Sequence, residues 1–413
     1  MSDAQFQLAA ASRFPMDTEF AAPRRHVFSP ISPSSSSPVP STDNATMTDI
    51  PNQMKALVAN QGIFTRVLNI ARKTTSANAA VLQTVPVPQI DSDQVLVKVT
   101  AVAINPTDWK HADMLSPKGS VLGCDFAGVV AKVGQNASTA WKEGDRIASS
   151  VHGGLYPDRG SFAEYLKVDS DLAWKIPEGV TDEAAASIGI SAGTSMLSLN
   201  QELDVPWLCG EPGGRTDTPV LIYAASTSTG LLAIQFSKLA GVKVVATCSP
   251  HSFDLVKKYG ADDVFDYKSP NAIDAIKKAH PNIDRALDCF SEGSSSDFCA
   301  KTLGPSGGKV VTLLPNTKTS VPNATIVPIL MYTILGKPFQ ILAPLGPKFP
   351  AIPENRAAAV RFYAGMSDFS SKLQAPPLEE VSGGLEGLNA GMDWLRKGKV
   401  SGKKIVAKIG SKE

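Results

Sequence analysis

The chain has 413 residues, 43% of them hydrophobic and 19% charged, enough for two domains of ordinary size and a sizeable core. Its 40 Lys and Arg against 39 Asp and Glu leave a net charge of +1, which argues against a nucleic-acid binder. No apolar run approaches the roughly 18 residues that span a bilayer, and the 5 cysteines are dispersed without a C-x-x-C pair, the pattern of reduced thiols in a cytoplasmic protein.

Residues 1–53 stand apart. The stretch SPISPSSSSPVPSTDNATMTDIP is rich in Ser and Pro, lacks an apolar period and is read as a disordered N-terminal tail. Arg13, Arg24 and Arg25 suggest a presequence, but Asp3, Asp17 and Glu19 argue against one, and no signal-peptide core is present. From Met54 the segments KALVAN, VLVKVTAVAIN, FAGVVAKVG and DRIASSV are short, β-branched and broken by Gly and Pro, which predicts a small, mostly β domain over 54–188.

Over 189–345 the pattern changes. VLIYAA, KVVATC, DDVFDY, RALDCF and GKVVTLL read as strands, and the stretches between them read as helices. Such alternation predicts an α/β, doubly wound parallel sheet with helices on both faces. The segment 346–413 returns to a helix near Leu385 and a strand, KKIVAKI, and is expected to complete the first domain.

The run VLIYAASTSTGLLAIQFSKLAG joins a strand to a helix through a loop of small residues, the shape that presents a helix N-terminus to a phosphate. A G-x-x-G-x-x-G dinucleotide pattern would put glycines at 224, 227 and 230; Ala224, Thr227 and Gly230 stand there instead. The hydroxyls of Ser226, Thr227, Ser228 and Thr229 offer donors in exchange. Nicotinamide enzymes that use NAD place an acid at the end of the second strand, about 20 residues on, for the ribose 2′-hydroxyl. Here that strand runs into Ser249, Pro250, His251 and Ser252, with Tyr267 and Lys268 following the third strand. An acid-free pocket of this kind suits a 2′-phosphate, so the expected cofactor is NADPH.

From Met54 onward the chain resembles the medium-chain dehydrogenase/reductase superfamily. The resemblance rests on INPTDWK (104–110), GCDFAGVVAKVG (123–134), EGDRI (143–147), GSFAEYLKV (160–168), IPEGVTDEAAAS (176–187), the phosphate loop, ATCSPHSFDLVKKYGADDVFDY (246–267) and LRKGKVSGKKIV (395–406). Within it the chain is most similar to the zinc-independent, trans-acting enoyl reductases of fungal polyketide synthesis, of the lovastatin type. The resemblance implies a GroES-like, β-rich catalytic domain beside a Rossmann-type doubly wound domain. It also implies a monomer that works on a polyketide synthase, or on a synthase–peptide synthetase hybrid.

The zinc-ligand positions of the superfamily correspond here to Asn105, Cys124 and Ile188, and one thiol cannot make a catalytic zinc site, so no metal is expected. Cys124, Cys248 and Cys289 are read as core thiols, and Asp125 and Asp145 as residues that tie loops. The resemblance places Thr107, Asp108, Trp109 and Lys110 against the cofactor, with Lys110 at the reacting end as the candidate for charge stabilisation. Ser191 and Thr194, at the junction of the domains, are expected to touch nicotinamide or substrate. Leu313, Leu314, Ile405 and Val406 are expected to close the apolar part of the site. No proton donor can be named. Two other functions remain open on the sequence: a free-standing NADPH-dependent quinone or alkenal reductase, and a non-catalytic NADPH-binding protein.

The segment from Val321 to Pro353 is apolar and Pro-rich; its side chains suit a channel for a polyketide chain or packing beneath a loop, and its prolines would interrupt edge pairing between subunits.

Overall fold

A computed structural model describes residues 50–72, 74, 78–209, 213–315 and 319–410. The tail expected over 1–53 lies outside the described residues as far as 49. In chain order the elements are β1 (Gln53–Ala59), α1 (Ile63–Arg72), β2 (Ala80–Pro86), β3 (Gln94–Ile104), α2 (Pro106–Lys110), β4 (Asp125–Val133), β5 (Arg146–Ser150), β6 (Tyr165–Asp169), β7 (Ala173–Lys175), α3 (Asp182–Ala186) and α4 (Gly189–Met196). There follow β8 (Val220–Tyr223), α5 (Ser228–Leu239), β9 (Val244–Cys248), α6 (Phe253–Lys258), β10 (Asp263–Asp266), α7 (Ala272–Ala279), β11 (Arg285–Asp288), α8 (Ser295–Thr302), β12 (Gly308–Thr312) and β13 (Ala324–Pro328). The last are β14 (Phe339–Gln340), β15 (Lys348–Phe349), α9 (Pro353–Phe369), β16 (Leu378–Glu380), α10 (Gly384–Arg396) and β17 (Lys404–Lys408).

The first sheet has seven strands in the order β16-β17-β3-β4-β5-β7, with β6 also paired to β3. Its centre is β3, QVLVKVTAVAI, a run too apolar for a one-sided strand; ten of its positions are buried or half-buried because it is covered on both faces. The C-terminal β17 pairs antiparallel with β3, Ile405 opposite Ile104 and Val406 opposite Ala103. The end of the chain thus closes the sheet that the beginning opened.

The second sheet has six parallel strands in the order β10-β9-β8-β11-β12-β13. Numbered within this unit the order is 3-2-1-4-5-6, that of the doubly wound dinucleotide fold, whose order reverses between β8 and β11. Register brings the carboxyl ends level: Tyr223 lies opposite Asp288, Asp288 opposite Thr312, and Asp266 opposite Cys248. A ligand crevice belongs above this edge.

The two halves share one core. Leu172 and Trp174 of the first pack in the same buried cluster as Leu231, Phe236 and Val244 of the second. The seam is α4, GISAGTSM, whose small side chains are buried on nearly every face. Two helices go beyond those the sequence predicts. α9 is the longest among the described residues, and its Phe362 and Phe369 pack against Phe236 of α5, tilted at 5.6 Å and edge-on at 6.0 Å. α1 lies within the stretch the sequence predicts as mostly β. The Pro-rich segment 321–353 forms the edge strand β13, a 3-10 turn over Met331–Leu335 and the β14–β15 hairpin. No helix among the described residues is long and apolar enough to cross a membrane.

Candidate active site

At the carboxyl end of β8 the chain turns through Ala224, held at φ +55°, a region that costs an alanine roughly 1–2 kcal/mol and that glycine enters freely. Gly230, in the first turn of α5, is fixed by crowding: a Cβ there would stand 2.6 Å from the Ala225 carbonyl oxygen. Only glycine lets the helix N-terminus approach the strand so closely. Thr227 is the helix cap, its Oγ1 accepting from the Gly230 N–H at 3.1 Å and donating to Ala224 O at 2.9 Å. Its hydroxyl is therefore engaged within the loop, where the sequence suggested a phosphate donor. Ser226, Ser228 and Thr229 are half-buried, and their hydroxyls make no protein hydrogen bond among the described residues. Three unpartnered hydroxyls at the start of a twelve-residue helix fit the phosphates of a dinucleotide.

Beyond β9, Ser249, Pro250, His251 and Ser252 form a short 3-10 turn. Pro250 and His251 are exposed and Ser252 is buried. His251 Nε2 lies 3.2 Å from Ser401 Oγ, so the loop between α10 and β17, from the other half, reaches this turn. The structure also brings up an acid that sequence spacing did not reveal: Asp266, level with Cys248, whose Oδ1 accepts from the Lys268 N–H at 3.0 Å.

After β11 the buried Asp288 shapes the next loop. It accepts from the Phe290 and Ser291 N–H groups at 3.0 and 2.8 Å and from the Ser295 and Ser296 hydroxyls at 2.6 and 2.9 Å. Ser291 in turn accepts from the Leu313 N–H at 2.8 Å, which ties together the loops after β11 and β12. Leu313 and Leu314 are half-buried at this edge. The same loop carries Glu292, whose Oε1 stands 3.4 Å from Lys110 Nζ of the first half.

Lys110 ends α2, a helix opened by Pro106 and closed at its start by Asp108, whose Oδ2 accepts from the Asn105 N–H at 2.7 Å. Asn105, at the position of a superfamily zinc ligand, donates through Nδ2 to Asp125 Oδ2 at 2.9 Å. The buried Lys404 ammonium binds both Asn105 Oδ1 and, at 3.0 Å, Asp125 Oδ2, and Asp125 Oδ1 accepts from the Ile190 N–H at 2.6 Å. The donors of this corner are committed to one another; Cys124 is its one thiol, and Ile188 is apolar and buried. These residues do not fit zinc, and no three His, Cys, Asp or Glu side chains converge on a metal-sized site among the described residues.

Thr107 faces the second half. Its Oγ1 lies 2.7 Å from the hydroxyl of Tyr332, a residue the sequence gave no reason to select. Tyr332 also approaches Cys124 Sγ at 3.7 Å and His111 Nε2 at 3.5 Å, and His152 stacks flat on its ring at 3.6 Å. Burial holds the Tyr332 phenol well above its usual range and keeps His152 neutral. Ser191 and Thr194, on α4, are buried, as are Ile405 and Val406, which are members of the sheet core. Trp109 is buried between the ammonium of Lys110, 5.6 Å from its ring, and the guanidinium of Arg396, at 5.8 Å. Two surface hollows, one bounded by Ile50 and Lys132 and the other by Arg146 and Lys408, share no residue with this cluster.

Burial raises the Asp108 carboxyl to about 7, against the lowering effect of the Asn105 N–H. Unfolded, the same group ionises near pH 4 (roughly). Between those values the folded chain holds a proton that the unfolded chain has lost, so this contribution to stability is full below about pH 4 and fades as pH rises to about 7. Relative to wild type, Asp108→Asn is expected to gain stability across that window, by about 1.4 kcal/mol per pH unit at the steepest point. Urea unfolding of both proteins from about pH 4 to 8 tests this, and a difference independent of pH contradicts it. His111, lowered to about 4 by burial, acts in the opposite direction in both proteins and cancels in the comparison.

Two family models match the chain: the alcohol dehydrogenase GroES-like domain over residues 91–178 and the zinc-binding dehydrogenase domain over residues 228–336. The trans-enoyl reductase FSL5 of Gibberella zeae is 37% identical over 374 residues, 88% of this chain and 99% of that protein. The trans-enoyl reductase caaB of Aspergillus niger is 36% identical over 86% of this chain and 97% of its own length. Among solved structures, an alcohol dehydrogenase superfamily protein from Novosphingobium aromaticivorans superposes with a TM-score of 0.68 at 22% identity, covering 86% of this chain and 99% of that one.

Proposed function

We propose that this protein, which belongs to the trans-enoyl reductases of the medium-chain dehydrogenase/reductase superfamily, uses NADPH to reduce the α,β-double bond of a thioester carried by a fungal polyketide synthase or a synthase–peptide synthetase hybrid. It is an oxidoreductase of the enoyl reductase type with a nicotinamide cofactor. The synthase as partner, the monomeric state and a cytoplasmic setting are part of the proposal. So is the division of labour, with 54–188 and 346–413 as the catalytic lobe around a nucleotide lobe of 189–345.

The observation that carries NADPH is the turn after β9. No carboxylate stands on it until Asp254 in the next helix, while Ser249, His251 and Tyr267 lie at the same edge. Asp266 is one strand further from β8, with Oδ1 engaged by its own loop. The Ser401 contact draws in a loop with Lys399, a cation that has no carboxylate partner among the described residues. Such a setting rewards a 2′-phosphate and gives a bare ribose little.

The cofactor supplies a hydride to the β-carbon. The chain must then hold the substrate and stabilise the charge that develops on the thioester oxygen before the α-carbon is protonated. Lys110 is the cation at this edge, half-buried, paired with Glu292 at 3.4 Å and set 5.6 Å from the Trp109 ring. The hydroxyls of Thr107 and the buried Tyr332 form a second, neutral donor pair. Ser191 and Thr194 are buried on α4, the helix at the seam of the two halves.

Steady-state kinetics with an enoyl pantetheine thioester is expected to give kcat/KM at least about tenfold higher with NADPH than with NADH, as one added charge-assisted contact implies. A preference for NADH overturns the cofactor assignment. Reduction of a simple quinone with no turnover of the thioester would instead mark a quinone reductase.

A further inference from the structure

Helix α1 is amphipathic in the reverse sense to an ordinary surface helix. Its inward face carries Arg66 and Asn69 beside Ile70. The Arg66 guanidinium donates to Leu115 O at 3.2 Å and Ala343 O at 3.3 Å, and Asn69 Nδ2 donates to Asp113 O at 2.8 Å. These bonds lock the polar face inward. The opposite stripe, Phe64, Val67, Leu68 and Ala71, recurs at helical spacing and faces solvent, with Phe64 84% and Leu68 47% exposed. Leu345, two residues beyond the carbonyl that Arg66 holds, is 66% exposed. A single exposed apolar side chain is ordinary; a whole stripe displayed outward marks a contact surface.

Charge indicates what covers it. The segments that meet at this corner, 51–72, 111–124 and 331–353, contain one acid, Asp113, which is fully buried and paired with Arg396. They do contain Arg72, Lys118 and Lys348, exposed and without a carboxylate partner among the described residues. An apolar centre in a cationic surround is complementary to an apolar patch rimmed by carboxylates. A second copy of this chain would set like charges against each other. Position adds to this, since α1 packs on the turn over His111–Leu115, which continues directly from the helix that holds Thr107 and Lys110.

We propose that the outer face of α1, with Leu345, docks the carrier domain that presents the thioester, through an acidic helical surface with an apolar centre. This rests on the reading above that the substrate arrives bound to a synthase. The full-length protein is assayed with an excised polyketide synthase carrier domain loaded with a crotonyl thioester, and with the same thioester on free pantetheine. Phe64→Glu and Leu68→Glu are expected to lower kcat/KM for the carrier-bound substrate about tenfold or more and to leave the free thioester within about twofold. Arg72→Glu should weaken only the carrier-bound reaction, by about threefold or more, and salt at about 0.5 M should abolish that difference.

Equal losses on both substrates would assign these residues to the folding or chemistry of the enzyme and overturn the proposal. Carrier-bound rates unchanged in both glutamate variants, or a wild type that does not prefer the carrier-bound substrate, would overturn it as well. So would dimers in sedimentation that Phe64→Glu dissociates, which assign the face to a second copy. A higher carrier-bound rate on deletion of residues 1–49 would assign it to the chain's own N-terminal segment. A wild type that reduces neither thioester would instead remove the enoyl reductase reading, and this proposal with it.

Discussion

Replacing Lys404 by methionine is expected to cost the native state about 3–5 kcal/mol, because it strands the Asp125 carboxylate in a fully buried site. Lys404 is 4% exposed, Asp125 is not exposed at all, and the ammonium also holds the side-chain oxygen of Asn105. Removing both charges with Lys404→Met and Asp125→Asn together should recover much of the loss, since a neutral buried pair carries no uncompensated ion. Urea denaturation of the single and double variants separates the two effects. A single variant within about 1 kcal/mol of wild type would mean that water or a rearrangement solvates Asp125, and that this cluster is not what fixes the corner. The consequence extends to activity: Asn105 immediately precedes α2, so loosening it displaces Thr107 and Lys110.

The second large effect is on the reaction. Lys110→Ala is expected to lower kcat about 10²–10³-fold, the scale on which one preorganised donor to a developing oxyanion acts. Stability should change little, because the ammonium makes a single ion pair with Glu292 at 3.4 Å and that carboxylate is 27% exposed. NADPH affinity, read by fluorescence titration, distinguishes two roles for Lys110. A loss confined to kcat supports charge stabilisation, whereas a matching loss of cofactor affinity supports a grip on the nicotinamide ribose. Unchanged turnover and unchanged affinity would remove Lys110 from the machinery.

Much of the architecture is local physics. The five strands read from VLIYAA, KVVATC, DDVFDY, RALDCF and GKVVTLL each contain an observed strand one or two residues shorter, β8 to β12, and they form a parallel sheet because helices separate them. The C-terminal helix and the strand read from KKIVAKI, observed as β17 (Lys404–Lys408), are equally legible, since each has its own period and breaker residues. α9 was missed because its sequence, PENRAAAVRFYAGMSDF, has no clean apolar stripe: it is wedged among α4, β7 and the 3-10 turn over Met331–Leu335, and so is covered on several sides. α1 carries a clear helical period in IFTRVLNIAR; what the period could not show is that its apolar stripe faces outward, which the buried hydrogen bonds of Arg66 and Asn69 decide.

The site divides in the same way. Residue type and spacing point to the phosphate loop and the acid-free turn at 249–252, each of which depends on a few neighbouring positions, and the family resemblance points to Lys110. Glu292, Tyr332, Asp266 and Lys404 were invisible because their meaning is relational. Tyr332 meets Thr107 across 225 positions of sequence, and Lys404 meets Asn105 across 299. Thr227 shows the same limit in reverse, a hydroxyl of the right type at the right place that the helix cap had already engaged. The sequence alone determined the chemistry available along each strand edge and loop, because propensity and spacing act between near neighbours. Only the tertiary structure decided which of those groups are buried, paired or left free, because desolvation and hydrogen bonding depend on what the rest of the chain brings alongside.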